Sequence, residues 1–373
     1  MEAADILRAA IPGIEPEIYE VDDEIVNVVA RIQGNGAGRR IILNGHLDTY
    51  PINESLPWTV DPLAGSIANG RLYGRGAADM KGGIAASIVA LKALSEVRQH
   101  WHGEVVLSLA GDEETMGTRG IEWLLKNVPH ARGDAAIIGD AGSPLVLRFG
   151  EKGFIWLDVE ATGRASHGAH VHLGTNAIDR LRLGLDALTG LGDLWVDSPP
   201  SVLEAINIAR PISESLSGTG ESEVLQNITV NIGFVEGGTS MNLVPAVAKA
   251  GVDIRIPAGS STEKIEAEIA HRLGAIDGIK WQIRRRVEPT VTPPDEAIVQ
   301  TVASAVCDVT GRQPAINMRV GGSDARVFRR EGIPTVVYGP TPFNMGGADE
   351  NVLIEELGIV SRVHALASFN FLT

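Results

Sequence analysis

The chain has 373 residues, 44% of them hydrophobic, which is enough for two domains that each bury a core. A net charge of −15 and a pI near 5.1 repel phosphate backbones and anionic membrane surfaces, so neither nucleic acid nor membrane is expected as a partner. The longest apolar stretch, "GIAASIVALKAL", is too short to span a bilayer, "MEAADILRAA" has no basic leader pattern, and the single cysteine, Cys307, suits a reducing, cytoplasmic setting.

In chain order, strand-length apolar runs alternate with helix-length segments: "RRIILNG", "MKGGIAASIVALKALSEV", "EVVLSLAG", "IEWLLKNV", "AAIIGD". That alternation predicts an α/β fold with a mainly parallel, doubly wound sheet. From residue 152 the order becomes strand, helix, two strands, helix, strand, from "FIWLDVEATG" to "KWQIRRRVE". This is the βαββαβ layout of a smaller α+β domain. Within it, "RPISESLSGTGESE" is expected to be an exposed loop, and Arg284, Arg285 and Arg286 a solvated strand face. The α/β pattern resumes after "VTPPDEA", so residues 152–290 are read as inserted into a domain made of 1–151 and 291–373.

Four places put acids or a histidine just beyond a strand, the edge where doubly wound sheets bind ligands. In "ILNGHLDTYP", His46 and Asp48 leave an extended chain on the same side, as a metal ligand and its orienting carboxylate would; a structural histidine is the alternative. In "LYGRGAADMKGG", Asp79 is a candidate ligand or a helix N-cap. Asp112, Glu113 and Glu114 follow one another in "LSLAGDEETMG", where a divalent ion would relieve their repulsion; acids favouring a helix N-terminus are the alternative. Asp140 ends "AAIIGD", again with a cap or turn as its other reading. Histidine and carboxylates of this kind suit zinc or a similar ion.

The series "GHLDTYP", "GRGAADMKGG", "GDEETMG", "GDAGSP", "SHGAHVHLGTNAID", "GGTSMNLVPAVAKAGVDIRIP" and "GGSDARVFRREGIPTVVYGP" resembles the M20 family of metallopeptidases over nearly the whole chain. That family includes acetylornithine deacetylase, succinyl-diaminopimelate desuccinylase, aminoacylases and carboxypeptidase G2-like enzymes. The resemblance implies that Asp79 bridges two metals, with His46 and Asp140 on one and Glu114 on the other. It makes Glu113 the general base acting on metal-bound water and Asp48 the residue that orients the ligands. It makes the inserted domain a lid and dimerisation domain, through which His167 reaches the partner subunit's site in a homodimer. It also assigns Asn242, Arg255, Gly322 and Ser323 to a small substrate bearing a carboxylate, although Arg255 is equally suited to a cross-strand ion pair. The implied cofactor is one or two Zn²⁺ ions, with Co²⁺ or Mn²⁺ as alternatives. The implied reaction is hydrolysis of an amide bond in an N-acyl amino acid or a dipeptide.

One position departs from the pattern. Aligning Glu350 with the family's "AHxxDE" motif leaves Gly346 where the last histidine ligand belongs. Three outcomes are open: one ion held by His46, Asp79 and Asp140; two ions with Asn344 or water filling the gap; or a catalytically degenerate protein that binds metal or ligand without turnover. The resemblance also implies a further helix and loop ahead of "ADILRAAIPGIEPEIYE", where this chain starts.

Overall fold

The computed structural model describes residues 2–53 and 55–373. After helix α1 (Glu2–Ala10) come strands β1 (Glu17–Glu20), β2 (Val26–Gln33) and β3 (Arg40–His46), then α2 (Gly82–Glu96), β4 (Glu104–Ala110), α3 (Ile121–Asn127), β5 (Ala135–Ile138) and β6 (Val146–Glu151). A second group follows: β7 (Gly153–Thr162), α4 (Ala177–Thr189), α5 (Pro200–Ser217), α6 (Glu221–Gln226), β8 (Thr229–Gly237), β9 (Val247–Ile256), α7 (Thr262–Gly274) and β10 (Ile279–Val287). The chain closes with β11 (Thr290–Val291), α8 (Ala297–Thr310), β12 (Ala315–Arg319), α9 (Ala325–Arg330), β13 (Thr335–Val337) and α10 (Ile354–Leu372).

Among the described residues, nine strands form one sheet in the order β1-β2-β4-β3-β5-β13-β6-β11, with β12 paired to β6. The expected mainly parallel sheet is in fact mixed. Neighbours from β4 to β13 run parallel and β12 runs parallel to β6, but β1, β2 and β11 join antiparallel, as does β6 to β13. Burial sets a strand's composition whichever way it runs, so the largely buried residues of β2 and β6 could not reveal their direction. The parallel centre still places the ends of β3, β4 and β5 side by side. Helix α2 can approach them closely because glycines meet there: a Cβ on Gly83 would lie 1.7 Å from the Gly139 carbonyl oxygen.

Strands β7 to β10 make a separate antiparallel sheet in the order β8-β9-β7-β10, and α4 and α7 close its own apolar core. Arg284 and Arg286 are exposed on β10 and pair with Asp158 and Glu266. The stretch 210–223, expected as a loop, is instead the end of α5, a two-glycine turn and the start of α6. Its Ser, Glu and Pro content hid an apolar stripe. Val202 and Ile206 are buried in the core of the large sheet and Ala209 packs with Val146, so tertiary packing outweighs Pro211 inside the helix. Among the described residues no helix is long and apolar enough to cross a membrane.

Candidate metal and catalytic centre

His46 ends β3, Asp112 to Glu114 follow β4, and Asp140 follows β5, so three neighbouring parallel strands deliver their polar residues to one edge. Asp79 arrives from the tight turn that precedes α2. Among the described residues, one metal-ligating atom each from His46, Asp79 and Asp140 lies within 4.8 Å of the others. The His46 Nε2 sits 3.0 Å from Asp79 Oδ1, while its Nδ1 faces the Asp48 carbonyl at 3.1 Å and the Asp48 carboxylate at 3.4 Å. One histidine and two carboxylates, oriented from behind by Asp48, fit a divalent ion of the zinc type.

Asp48 also accepts the backbone N–H groups of Glu113 (3.2 Å) and Glu114 (2.9 Å), which ties the acidic turn to the ligand strand. Glu113 lies against Arg326, whose Nη1 donates to its Oε1 at 2.7 Å and to the Ser323 carbonyl at 2.6 Å. Asp324, buried beside this pair with neither carboxylate oxygen hydrogen-bonded among the described residues, has its pKa raised well above the carboxylate range by burial and by the Glu113 charge. Arg319 pairs with Asp140, leaving that residue's other oxygen on its own Ala141 N–H. Neither Arg319 nor Arg326 was singled out from the sequence. Arg326 lies within the quoted "GGSDAR", but a pairing with Glu113 across 213 positions is tertiary and has no local signal.

Gly346 has φ +73°, a left-handed conformation that favours glycine. Its carbonyl accepts from Arg75 Nη2 at 3.0 Å, and Arg75 Nη1 binds Glu350 at 2.5 Å. Asn344 is exposed and turns to the Asp349 carbonyl of its own loop. Glu114 Oε1 is buried without a hydrogen-bond partner among the described residues, and burial together with the Asp79 charge pushes its carboxyl up to about 8.

Of the other expected residues, His167, Asn242 and Arg255 lie elsewhere, while Ser323 and Gly322 border the centre through Arg326. His167 and Asn242 are exposed and adjacent, the Gly168 N–H donating to the Asn242 carbonyl at 2.6 Å. Arg255 pairs with Asp253 of its own strand at 2.9 Å and stacks on Phe154. Ser323 is buried, hydrogen-bonded to Glu151, and accepts the Ala325 N–H as a helix-opening turn; Gly322 precedes it beside Arg326.

Three titrations share one sign. Asp140 is raised to about 6 by burial, against the pull of Arg319. Glu114 is raised to about 8, and His46 is raised well above 6.5 because Asp48 and Asp79 outweigh its burial. Each group binds its proton more tightly folded than unfolded, so its contribution to stability falls as pH rises through these values. Chelator-treated protein is therefore expected to lose melting temperature between about pH 5 and about pH 8, and the gain on adding Zn²⁺ to grow over the same range. Calorimetry at fixed ionic strength checks this; a gain that shrinks with pH would contradict it.

The profile of peptidase family M20/M25/M40 matches residues 42–369. A succinyl-diaminopimelate desuccinylase of Rhodospirillum centenum is 31% identical over 359 residues, covering 93% of this chain and 83% of that protein. The fold is similar to an M20 family metallo-carboxypeptidase, Sso-CP2 from Sulfolobus solfataricus, with a TM-score of 0.79 at 19% identity over 100% of this chain and 93% of that one. It is also similar to the Bacillus subtilis YXEP protein, described as a dinuclear metal binding peptidase, with a TM-score of 0.68 at 16% identity over 100% and 91% of the two chains.

Proposed function

Because this chain belongs to peptidase family M20/M25/M40 and is a hydrolase of that family, we propose that it cleaves the amide bond of a small N-acyl amino acid or dipeptide with Glu113 as general base. The observation that carries this reading is the convergence of His46, Asp79 and Asp140 beside Glu113, whose charge acts on both His46 and Asp140. When bound, a divalent ion at these three residues supplies Lewis acidity toward the scissile carbonyl and toward water. Glu113 takes the proton of the attacking water on its carboxylate and returns it to the leaving amine. Arg326 holds that carboxylate in place through its Nη1 at 2.7 Å, and Asp48 holds the turn that carries it.

We read the centre as holding one ion, Zn²⁺ before Co²⁺ or Mn²⁺. Catalytic zinc sites keep three protein ligands and an open position, a requirement that His46, Asp79 and Asp140 meet. The Glu114 position would have only Glu114 and a shared Asp79, since Gly346 has no side chain and its carbonyl is engaged by Arg75.

Residues 1–151 and 291–373 are proposed as the catalytic domain and 152–290 as the inserted unit. A homodimer through that unit is supported by the exposed Ile232, Phe234 and Val235 on edge strand β8 and by the outward placement of His167 and Asn242. A cytoplasmic setting is proposed from the lone Cys307. The test of the function is a panel of N-acyl amino acids and dipeptides offered to Zn²⁺-loaded protein. Turnover that a chelator removes and Zn²⁺ restores supports the reading; turnover that survives chelation, or none on any member, ends it.

A further inference from the structure

Glycine at 346 opens space that a neighbouring side chain takes up. Among the described residues, a Cβ built on Gly346 would meet one neighbour within 4 Å, Cδ2 of the Tyr50 ring at 3.9 Å. A longer side chain at 346 would therefore run into that ring. The loop around Gly346 is held at both ends: Arg75 takes its carbonyl, and Phe343 and Asn351 exchange backbone hydrogen bonds of 3.1 and 3.0 Å.

Tyr50 is set from its own side by the residues that follow β3. Two positions earlier, Asp48 accepts the Glu113 and Glu114 N–H groups, and Lys81 Nζ donates to the Leu47 carbonyl at 2.7 Å. Thr49 packs so closely on Gly76 (φ +80°) that a Cβ there would come within 2.5 Å of its Cγ2, and Gly76 opens the turn that carries Asp79. Residues 47–49 thus tie Tyr50 to the acidic turn and to the ligand turn together. The residue is 48% exposed, which leaves part of the ring open to an incoming molecule. A phenol keeps its proton up to a pH of about 10, and burial with the charges of Glu114 and Asp79 raises Tyr50 further. At neutral pH it therefore offers an O–H donor to this side of the centre.

We propose that Tyr50 takes the place of a second metal ion: its ring fills the side of the centre next to Glu114 that Gly346 leaves open, and its O–H donates to the oxygen on which charge develops when the amide is attacked. The proposal rests on the hydrolase reading for the reaction that Tyr50 assists. The phenol acts by hydrogen bonding alone and keeps its own proton, so the water's proton still passes through Glu113 to the leaving amine.

Zinc uptake by chelator-stripped protein, read by elemental analysis, and kinetics on the best substrate test both halves. Tyr50→Phe removes only the hydroxyl. It is expected to hold one Zn²⁺ per chain, as the wild type does, and to lose about 10²- to 10³-fold in kcat, the effect of deleting one oxyanion donor, with KM nearly unchanged. Gly346→His alone is expected to stay at one ion because the ring blocks the imidazole, whereas combined with Tyr50→Val, which clears the ring, it is expected to hold two. Histidine and aspartate are among the residues that enter the left-handed backbone region, so Gly346→Asp replaces Gly346→His if the latter does not fold. A Tyr50→Phe kcat within about threefold of wild type overturns the proposal. So does a folded double variant that stays at one ion, or a Gly346→His variant that takes two with Tyr50 in place. Because ion uptake is read without turnover, a second ion gained by the double variant of a protein that hydrolyses nothing sinks the hydrolase reading alone, and hydrolysis indifferent to Tyr50→Phe sinks this one alone.

Discussion

Glu113→Gln is expected to lower kcat by about 10²- to 10⁴-fold, the span that a positioned general base contributes, with KM nearly unchanged. The amide keeps the shape of the side chain and its proximity to Arg326, so the loss reports proton transfer rather than a displaced turn. Metal content should stay at the wild-type value, because Glu113 is not among the residues whose donor atoms cluster. Purified variant assayed on the best substrate of the wild type, with its zinc measured alongside, decides the matter. Retention of more than about a tenth of wild-type kcat would remove Glu113 from the role of base.

Arg75→Met is expected to cost about 3–5 kcal/mol of stability, the range for stripping one partner from a buried ion pair. The Arg75 and Glu350 side chains are 3% and 1% accessible, so Glu350 would be left charged in the interior with only the Ala78 and Asp79 N–H groups at 3.0 and 3.2 Å. Those two amides belong to the turn that carries Asp79, so the same change should weaken metal binding. Equilibrium urea unfolding of metal-stripped protein reads the first effect and zinc titration the second. Adding Glu350→Gln to Arg75→Met should recover part of the stability, since the orphaned charge goes with it; a single variant within about 1 kcal/mol of wild type would contradict the account.

The strand-end polar residues were legible because they need only two local signals, an apolar run and the acid or histidine that ends it. His46, Asp79, Asp140, Glu113 and Asp48 do converge. The guanidinium groups that complete the centre were not legible: Arg319, Arg326 and Arg75 meet their carboxylates across 179, 213 and 275 positions, and an arginine in isolation does not announce its partner. Direction was lost for β2 and β6 because burial, not pairing sense, sets their composition. Helix α5 was hidden by the opposite effect, a polar, proline-containing segment made helical by one buried stripe. Gly346 could be placed by motif alignment, but the arginine that engages its carbonyl is a feature of the fold.

Elemental analysis of metal per chain, on protein stripped by chelator and then titrated with Zn²⁺ while hydrolysis is followed, tests the centre most directly. The predicted result is one tightly held ion per chain, with turnover rising in step and saturating at one equivalent. Saturation at two equivalents, or hydrolysis by the stripped protein, would contradict a single-ion centre built from His46, Asp79 and Asp140.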